Sequence, residues 1–448
     1  MASRETLVED FMDLITARNP GQDEFLQAVQ EVARDVLTVE KASSAFAAAR
    51  VLERLTEPDR MISFRVDWED DSGALRVNRG WRVQMSNAIG PYKGGIRFHP
   101  TVTPSVLKFL GFEQVFKNAL TGLPLGGGKG GSDFEPVGRS DREIMRFCHA
   151  FMAELAHHIG PDQDVPAGDI NVGTRAIGYL FGAYKRHHRQ FQGALTGKGT
   201  SFGGSAMRVE ATGYGLIYFV QAMLAEQGAE IADQRIAISG MGNVALHAAE
   251  KAIAQGGRVI SLSHSGGTLL AGDGYSPEAL DWVRTTRAQG QDVADAPSHL
   301  GLSFVEGKKP WGADATVALP CATQNEMDKA DAKAAVDAGL RYLAEGANMP
   351  LTADAAAHIE GAGIPYGPGK AANAGGVAIS GLEMSQNAHG RFSSAQEVDA
   401  SLRSIMRDIH DRAADEGRDG GAINYRRGAN IAGYRKVAQA VSAFGIIA

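Results

Sequence analysis

Between Arg235 and Gly257 the chain passes from an apolar run through a glycine turn into a helical stretch, and this sequence of elements restricts the fold more than any other segment. Arg235-Ile236-Ala237-Ile238-Ser239 reads as a buried strand, because a short apolar run bounded by a turn signal suits a sheet covered on both faces. Gly240-Met241-Gly242-Asn243-Val244-Ala245 follows with G-x-G-x-x-A spacing, and the next stretch is helical as far as Gly256-Gly257. Gly240 allows the tight turn, Gly242 lets backbone N–H groups approach a pyrophosphate, and the small Ala245 lets helix and strand pack closely. Further strands are expected at Arg258 to Leu262, Ala315 to Leu319, Tyr342 to Ala344 and Ile364 to Tyr366. Strands alternating with helices predict a mostly parallel sheet with a dinucleotide at its carboxyl edge.

About twenty residues beyond the fingerprint, an acid would grip the ribose 2′-hydroxyl of NAD. The chain has Ser263-His264-Ser265 there, which favours NADP, with NAD or dual use as the alternative.

The N-terminal part reads differently. The first sixty residues show helical spacing (Phe11, Leu14, Ile15; Phe25, Val29, Val32), and Met61 to Val66 and Leu75 to Met85 read as strands. Thr103 caps, Pro104 opens and Gly122 closes a helix that carries Gln114 and Lys117. Ser140-Asp141-Arg142-Glu143 is a capping box for a helix that runs to Gly160-Pro161, which places Asp169 in the loop that follows. The glycine- and serine-rich stretch Gly193 to Ala206 has the composition of a hinge. The expected organisation is α/β in two domains, as suits 448 residues. A mixed-sheet substrate and oligomerisation domain takes residues 1–200 plus a C-terminal helix at 426–448, and a Rossmann-type domain takes 201–425. Closure of a cleft about the hinge would expel water.

Three lysines and one carboxylate carry the chemistry. Lys93 lies in the turn Pro91-Tyr92-Lys93-Gly94-Gly95, Lys129 interrupts the run Gly126 to Gly131, and Asp169 follows Pro166-Ala167-Gly168. Lysines gathered with Lys117 would bind a dicarboxylate and hinder one another's protonation. Two like charges roughly 8 Å apart at an effective dielectric near 20 cost about 2 kcal/mol, so two neighbours and partial burial would bring one ammonium from about 10.4 towards 7 to 8. The plain alternative is three unrelated surface lysines.

Composition removes other classes. The formal charge of -7 argues against a nucleic-acid binder, and no apolar run is long enough to span a bilayer. Met1 to Asp10 is polar and acidic, unlike an export signal. Cys148 and Cys321 have neither disulfide-scaffold nor zinc-site spacing, and the pairs His157-His158 and His187-His188 lack partners at ligand spacing. A cytoplasmic protein without a metal is expected.

These segments together resemble the hexameric glutamate dehydrogenases of the bacterial and fungal NADP-dependent type. The matching motifs are Pro91 to Pro100, Leu123 to Gly131, Val165 to Asp169, Arg208 to Gly215, Leu319 to Glu326, Gly346 to Pro350 and Asn373 to Glu383, spread over nearly the whole chain. The resemblance implies interconversion of L-glutamate with 2-oxoglutarate and ammonium by hydride transfer, in a homohexamer. It implies that Lys129 and Asp169 are catalytic, that Lys93 and Ser380, with Val377 beside them, hold the substrate side chain, and that Lys117 and Gln114 hold the α-carboxylate. Arg208, Thr212, Asn243, Val244, Asn348 and Asn373 would line the nucleotide. Relatives often carry Asp where this chain has His264 and a basic residue where it has Val137, with Arg139 nearby as a substitute for the 2′-phosphate contact; His264 itself is the other candidate. A branched-chain or aromatic amino-acid dehydrogenase, or a non-catalytic NADP-binding protein, is the competing reading; Lys93 with Ser380 argues for the acidic substrate.

Overall fold

A computed structural model describes residues 4–445 and divides them into two compact units. The first unit is the stretch ending at Ala206, together with Val377–Val398 and the stretch from Asn430 onward; the second is Met207–Gly376 with Asp399–Ala429. The expected boundaries therefore shift. Residues 377–398 and the chain from 430 group with the first unit, and 426–429 stay with the second. The reason is a buried tie: Lys198 Nζ meets Glu383 Oε1 at 2.6 Å with both side chains fully inaccessible, and Asn387 Nδ2 donates to Gly203 O at 2.8 Å.

The sheet of the first unit has five strands: β1 (Arg60–Glu69), β2 (Leu75–Ser86), β3 (Tyr92–Phe98), β4 (Gly127–Ser132) and β5 (Asp164–Gly168), in the order β1-β2-β4-β3-β5. β4 is antiparallel to β2 and parallel to β3, and β3 is parallel to β5. Neighbouring glycines and prolines predict turns or loops around Lys93, Lys129 and Asp169. The structure makes the first two into strands, and Asp169 directly follows a third. Glycine obscured this. A side chain on Gly127 would come within 2.3 Å of Val115 Cγ2 on a helix, and one on Gly130 within 3.1 Å of Trp81 O on β2, so the run 127–131 is glycine-rich because a helix and the neighbouring strands lie against it, not because the strand is open to solvent.

That helix is Pro104–Leu120. Thr103 Oγ1 accepts the N–H of Val106 at 3.2 Å and Pro104 occupies the first turn, as the sequence predicts. The helix Asp141–Leu155 likewise starts in a capping box made by Ser140 and Glu143. Its apolar face joins that of the helix Thr174–His188 in a core with β1 and β3 residues, centred on Phe98, Phe147 and Phe151. Phe147 stacks on Phe134 at 3.8 Å and meets Phe98 edge-on at 5.0 Å, the second a geometry that aromatic quadrupoles favour.

The sheet of the second unit contains β6 (Arg235–Ile238), β7 (Arg258–His264), β8 (Gly267–Ala271), β9 (Leu302–Glu306), β10 (Val317–Leu319), β11 (Tyr342–Ala344) and β12 (Tyr366–Gly367), ordered β12-β11-β10-β6-β7-β8-β9. The first five in that order run parallel, as expected. β8 and β9 are antiparallel additions beyond the expected strands. Among the described residues no helix is long and apolar enough to cross a membrane.

Candidate active site

β3 and β4 are neighbours, and the chain leaves β5 beside them at Asp169. Lys129 Nζ, on a side chain only 4 % exposed, donates to Asp169 Oδ1 at 2.8 Å. Arg97 Nε donates to the other oxygen, Oδ2, at 2.6 Å. Asp169 is thus held from both sides.

Two opposed effects act on Lys129 and on Asp169. Burial pushes the Lys129 ammonium below its ordinary range and nearby Arg97 and Arg82 push the same way, while Asp169 pulls it back only in part. Burial alone would raise the Asp169 carboxyl, but the Lys129 and Arg97 charges and their hydrogen bonds hold it well below the usual carboxylate range. The expectation that neighbouring lysines depress Lys129 is corrected here: desolvation comes first, and the contributing cations are arginines. Arg82 is fully buried against Asp164, with Nε–Oδ2 2.9 Å, and donates to Gly94 O at 3.1 Å, so it also ties β2 to β3 and β5.

Close backbone approach places Asp169. A Cβ on Gly95 would lie 2.7 Å from Asp169 Cβ and 2.9 Å from Gly168 O, so this position excludes a side chain. Lys93, Gly95 and Arg97 share strand parity, hence one face of β3. That alternation was the signal by which Arg97 could have been found from sequence. Lys93 to Gly95 reads as a turn, and Arg97 stands out only within the family motif Pro91 to Pro100.

Lys93 is 1 % exposed and its Nζ donates to Thr196 Oγ1 at 2.8 Å. Thr196 belongs to the stretch expected to be a hinge, but residues 194–196 and Lys198 are buried and the carboxylate of Glu383 accepts the N–H of Gly197 at 2.9 Å. Ser380, 1 % exposed, and half-buried Val377 are on the helix Gly375–His389 that supplies Glu383. Lys117 is half-buried and precedes Asn118, whose amide binds Lys93 O and Gly126 O. Gln114 donates to Asn118 Oδ1 at 2.7 Å. The structure thus joins Lys129, Asp169 and Arg97 directly, Lys93 to Thr196, and Gln114 to the amide that braces Lys93.

In the second unit the fingerprint has the required form. Gly240 takes φ +88°, in the left-handed region. Gly242 precedes the helix Asn243–Ala254 with no side chain capping its first N–H groups, and a Cβ there would meet nothing within 4 Å. A bare helix start beside open space fits a pyrophosphate. Half-buried Val244 lies in the first turn, and Asn243 Nδ2 donates to Val209 O at 2.6 Å. Asn373 Nδ2 reaches Asn348 Oδ1 at 3.2 Å, and Arg208 and Thr212 flank Gly376. Ser263 is turned inward, its Oγ accepting the N–H of Gly240 at 3.3 Å, whereas Ser265 is exposed.

Two family models match the chain: the Glu/Leu/Phe/Val dehydrogenase dimerisation domain over residues 58–186, and Glutamate/Leucine/Phenylalanine/Valine dehydrogenase over 203–445. The chain belongs to the Glu/Leu/Phe/Val dehydrogenase family. Relatives of this dehydrogenase include the NADP-specific glutamate dehydrogenase of Psychrobacter sp. (strain TAD1), 53 % identical over 97 % of this chain and 98 % of that one. The NAD-specific glutamate dehydrogenase of Bacteroides fragilis is 52 % identical over 98 % of this chain and 100 % of its own length. The crystal structure of Plasmodium falciparum glutamate dehydrogenase superposes with a TM-score of 0.96 at 44 % identity, covering 99 % of this dehydrogenase and 96 % of that chain.

Other groups singled out in the sequence take structural places in the dehydrogenase. Arg139 pairs with Glu143 at 3.3 Å and covers the Trp68 ring at 5.5 Å. Burial pushes the Cys148 thiol up to about 12 and the Cys321 thiol well above its ordinary value, so neither is a nucleophile at neutral pH.

Proposed function

We propose that this dehydrogenase interconverts L-glutamate and 2-oxoglutarate plus ammonium, with NADP as coenzyme. The observation that carries the reading is the buried Lys129–Asp169 pair with Arg97 behind it. Lys129, made easier to deprotonate by burial, takes the proton of the attacking water or of the carbinolamine hydroxyl. Asp169, held ionised by its two cations, passes protons to and from the substrate nitrogen. Bound nicotinamide supplies the hydride acceptor or donor for Cα.

In this reading Lys93 and Ser380, with Val377 beside them, receive the side-chain carboxylate, and Lys117 with Gln114 receives the α-carboxylate. Lys93 is already aimed by Thr196, which lowers the ordering cost when a carboxylate arrives. Arg208, Thr212, Asn243, Val244, Asn348 and Asn373 line the nucleotide. The local sequence at the end of β7 has no acid, which favours NADP, and since relatives of both specificities match almost equally well, that local feature carries more weight than overall identity.

A homohexamer in the reducing cytoplasm completes the proposal. The match to a dimerisation domain supports assembly, as does the exposure of Leu75 and Val77, 72 % and 61 %, on β2. NADPH oxidation is the direct test, with 2-oxoglutarate and ammonium set against pyruvate and branched 2-oxo acids. Preference for a branched acid would replace the glutamate reading with that of a branched-chain amino-acid dehydrogenase.

A further inference from the structure

The local sequence at the end of β7 offers no acid to a ribose, but the fold brings one there from elsewhere. Asp292, beyond the helix Pro277–Ala288, places Oδ1 3.9 Å from His264 Nε2. The His264 ring is fixed. It stacks on Phe304 at 5.5 Å and 16°, and its Nδ1 accepts the N–H of Gly266 at 3.0 Å. An imidazole that accepts through Nδ1 carries its proton on Nε2. That nitrogen is buried without a hydrogen-bond partner, and 3.9 Å is too long for a bond to Asp292.

A donor N–H and a carboxylate therefore lie side by side, and a turn of the Asp292 side chain, which is mostly exposed, opens the space between them. A hydroxyl satisfies both at once, because its oxygen accepts from Nε2 and its proton goes to Asp292. A phosphate satisfies only the donor and meets the carboxylate as a like charge. In dinucleotide folds the end of the second strand is where the ribose 2′ position is read.

We propose that Asp292 is a coenzyme-discriminating residue: with His264 it brackets a ribose 2′-hydroxyl, admits NAD and holds back the preference for NADP. This rests on the dinucleotide-dependent dehydrogenase reading above and refines its coenzyme. The acid escapes the usual sequence search because a loop after a helix supplies it, rather than the strand.

The test is direct binding of NADPH and NADH to the full-length protein, followed by quenching of protein fluorescence, alongside the ratio of kcat/KM for the two coenzymes. Asp292 is 67 % exposed in its side chain, so Asp292→Asn and Asp292→Lys should fold normally. Asp292→Asn is expected to raise the NADPH-to-NADH affinity ratio about tenfold at low salt, Asp292→Lys further, and high salt should shrink both effects. An unchanged ratio in both variants overturns the assignment. A shifted ratio in a protein that turns over no glutamate would support the Asp292 role while removing the substrate reading.

Discussion

Arg97 and Lys129 grip opposite oxygens of one carboxylate, Asp169, at 2.6 and 2.8 Å. The arginine makes the pair asymmetric, because its charge cannot be titrated away and it opposes protonation of the lysine across Asp169. Lys129 is lowered in the folded protein, so it must lose its proton to act and the acid limb of kcat/KM reports that loss. In Arg97→Gln one cation that depresses Lys129 is gone and its proton is held more tightly. The acid limb should move to higher pH by about one unit, with kcat reduced at neutral pH and partly recovered at alkaline pH. A pH profile of kcat/KM decides this; an unmoved limb would show that Arg97 only positions Asp169.

Gly95→Ala probes the close approach that places Asp169. The added methyl would lie 2.7 Å from Asp169 Cβ and 2.9 Å from a backbone oxygen, so β5 must move away from β3. Misplacing a catalytic group by a fraction of an ångström is expected to lower kcat by about 100-fold. Nucleotide binding should be retained, since the fingerprint lies in the other unit. Wild-type kcat in this variant would show that the spacing is not needed.

The buried Lys198–Glu383 pair leads to a separate prediction. Glu383→Gln leaves Lys198 as a buried cation with a weaker partner and loosens the N–H of Gly197, beside Thr196. Breaking such a pair from one side costs about 3 kcal/mol or more, so the urea midpoint should fall. KM for glutamate should rise more than kcat falls, because Thr196 aims Lys93 at the proposed side-chain carboxylate pocket. A lowered midpoint with unchanged KM would restrict the pair to a structural role.

This pair also marks how far the sequence could be read. The dinucleotide fingerprint, the Thr103 cap and the Ser140 capping box were legible because each is local: the residues that make the bonds lie within a few positions of one another. Lys93 and Lys129 were expected in exposed turns and lie instead buried on β3 and β4. Their glycines mark close packing against other strands and a helix, and a single sequence does not distinguish that from a loop. Residues 194–198 have the composition of a hinge, but the Thr196 N–H donates to Pro166 O, and Glu383 holds Gly197 and Lys198, the latter from 185 residues further on. Arg82, Thr196 and Asp292 went unnoticed because each matters only through a partner remote in sequence.

Substrate choice rests on Lys93 and Ser380, each 1 % exposed. A substrate group entering so buried a site is stripped of water and must find its partner there, and this makes the pocket selective. Replacing both, as Lys93→Leu with Ser380→Val, leaves an apolar pocket in which the carboxylate of glutamate would lose its partner and remain desolvated. The kcat/KM for glutamate is expected to fall about 1,000-fold or more, since an unpaired charge in a closed pocket is rejected much more strongly than a missing methylene. Norleucine, of similar length and without the charge, should gain, so the specificity ratio reverses. The single substitutions should fall between, with Lys93→Leu the more damaging because it removes the full charge. Unchanged glutamate turnover in the double variant would place the side-chain carboxylate elsewhere in the protein.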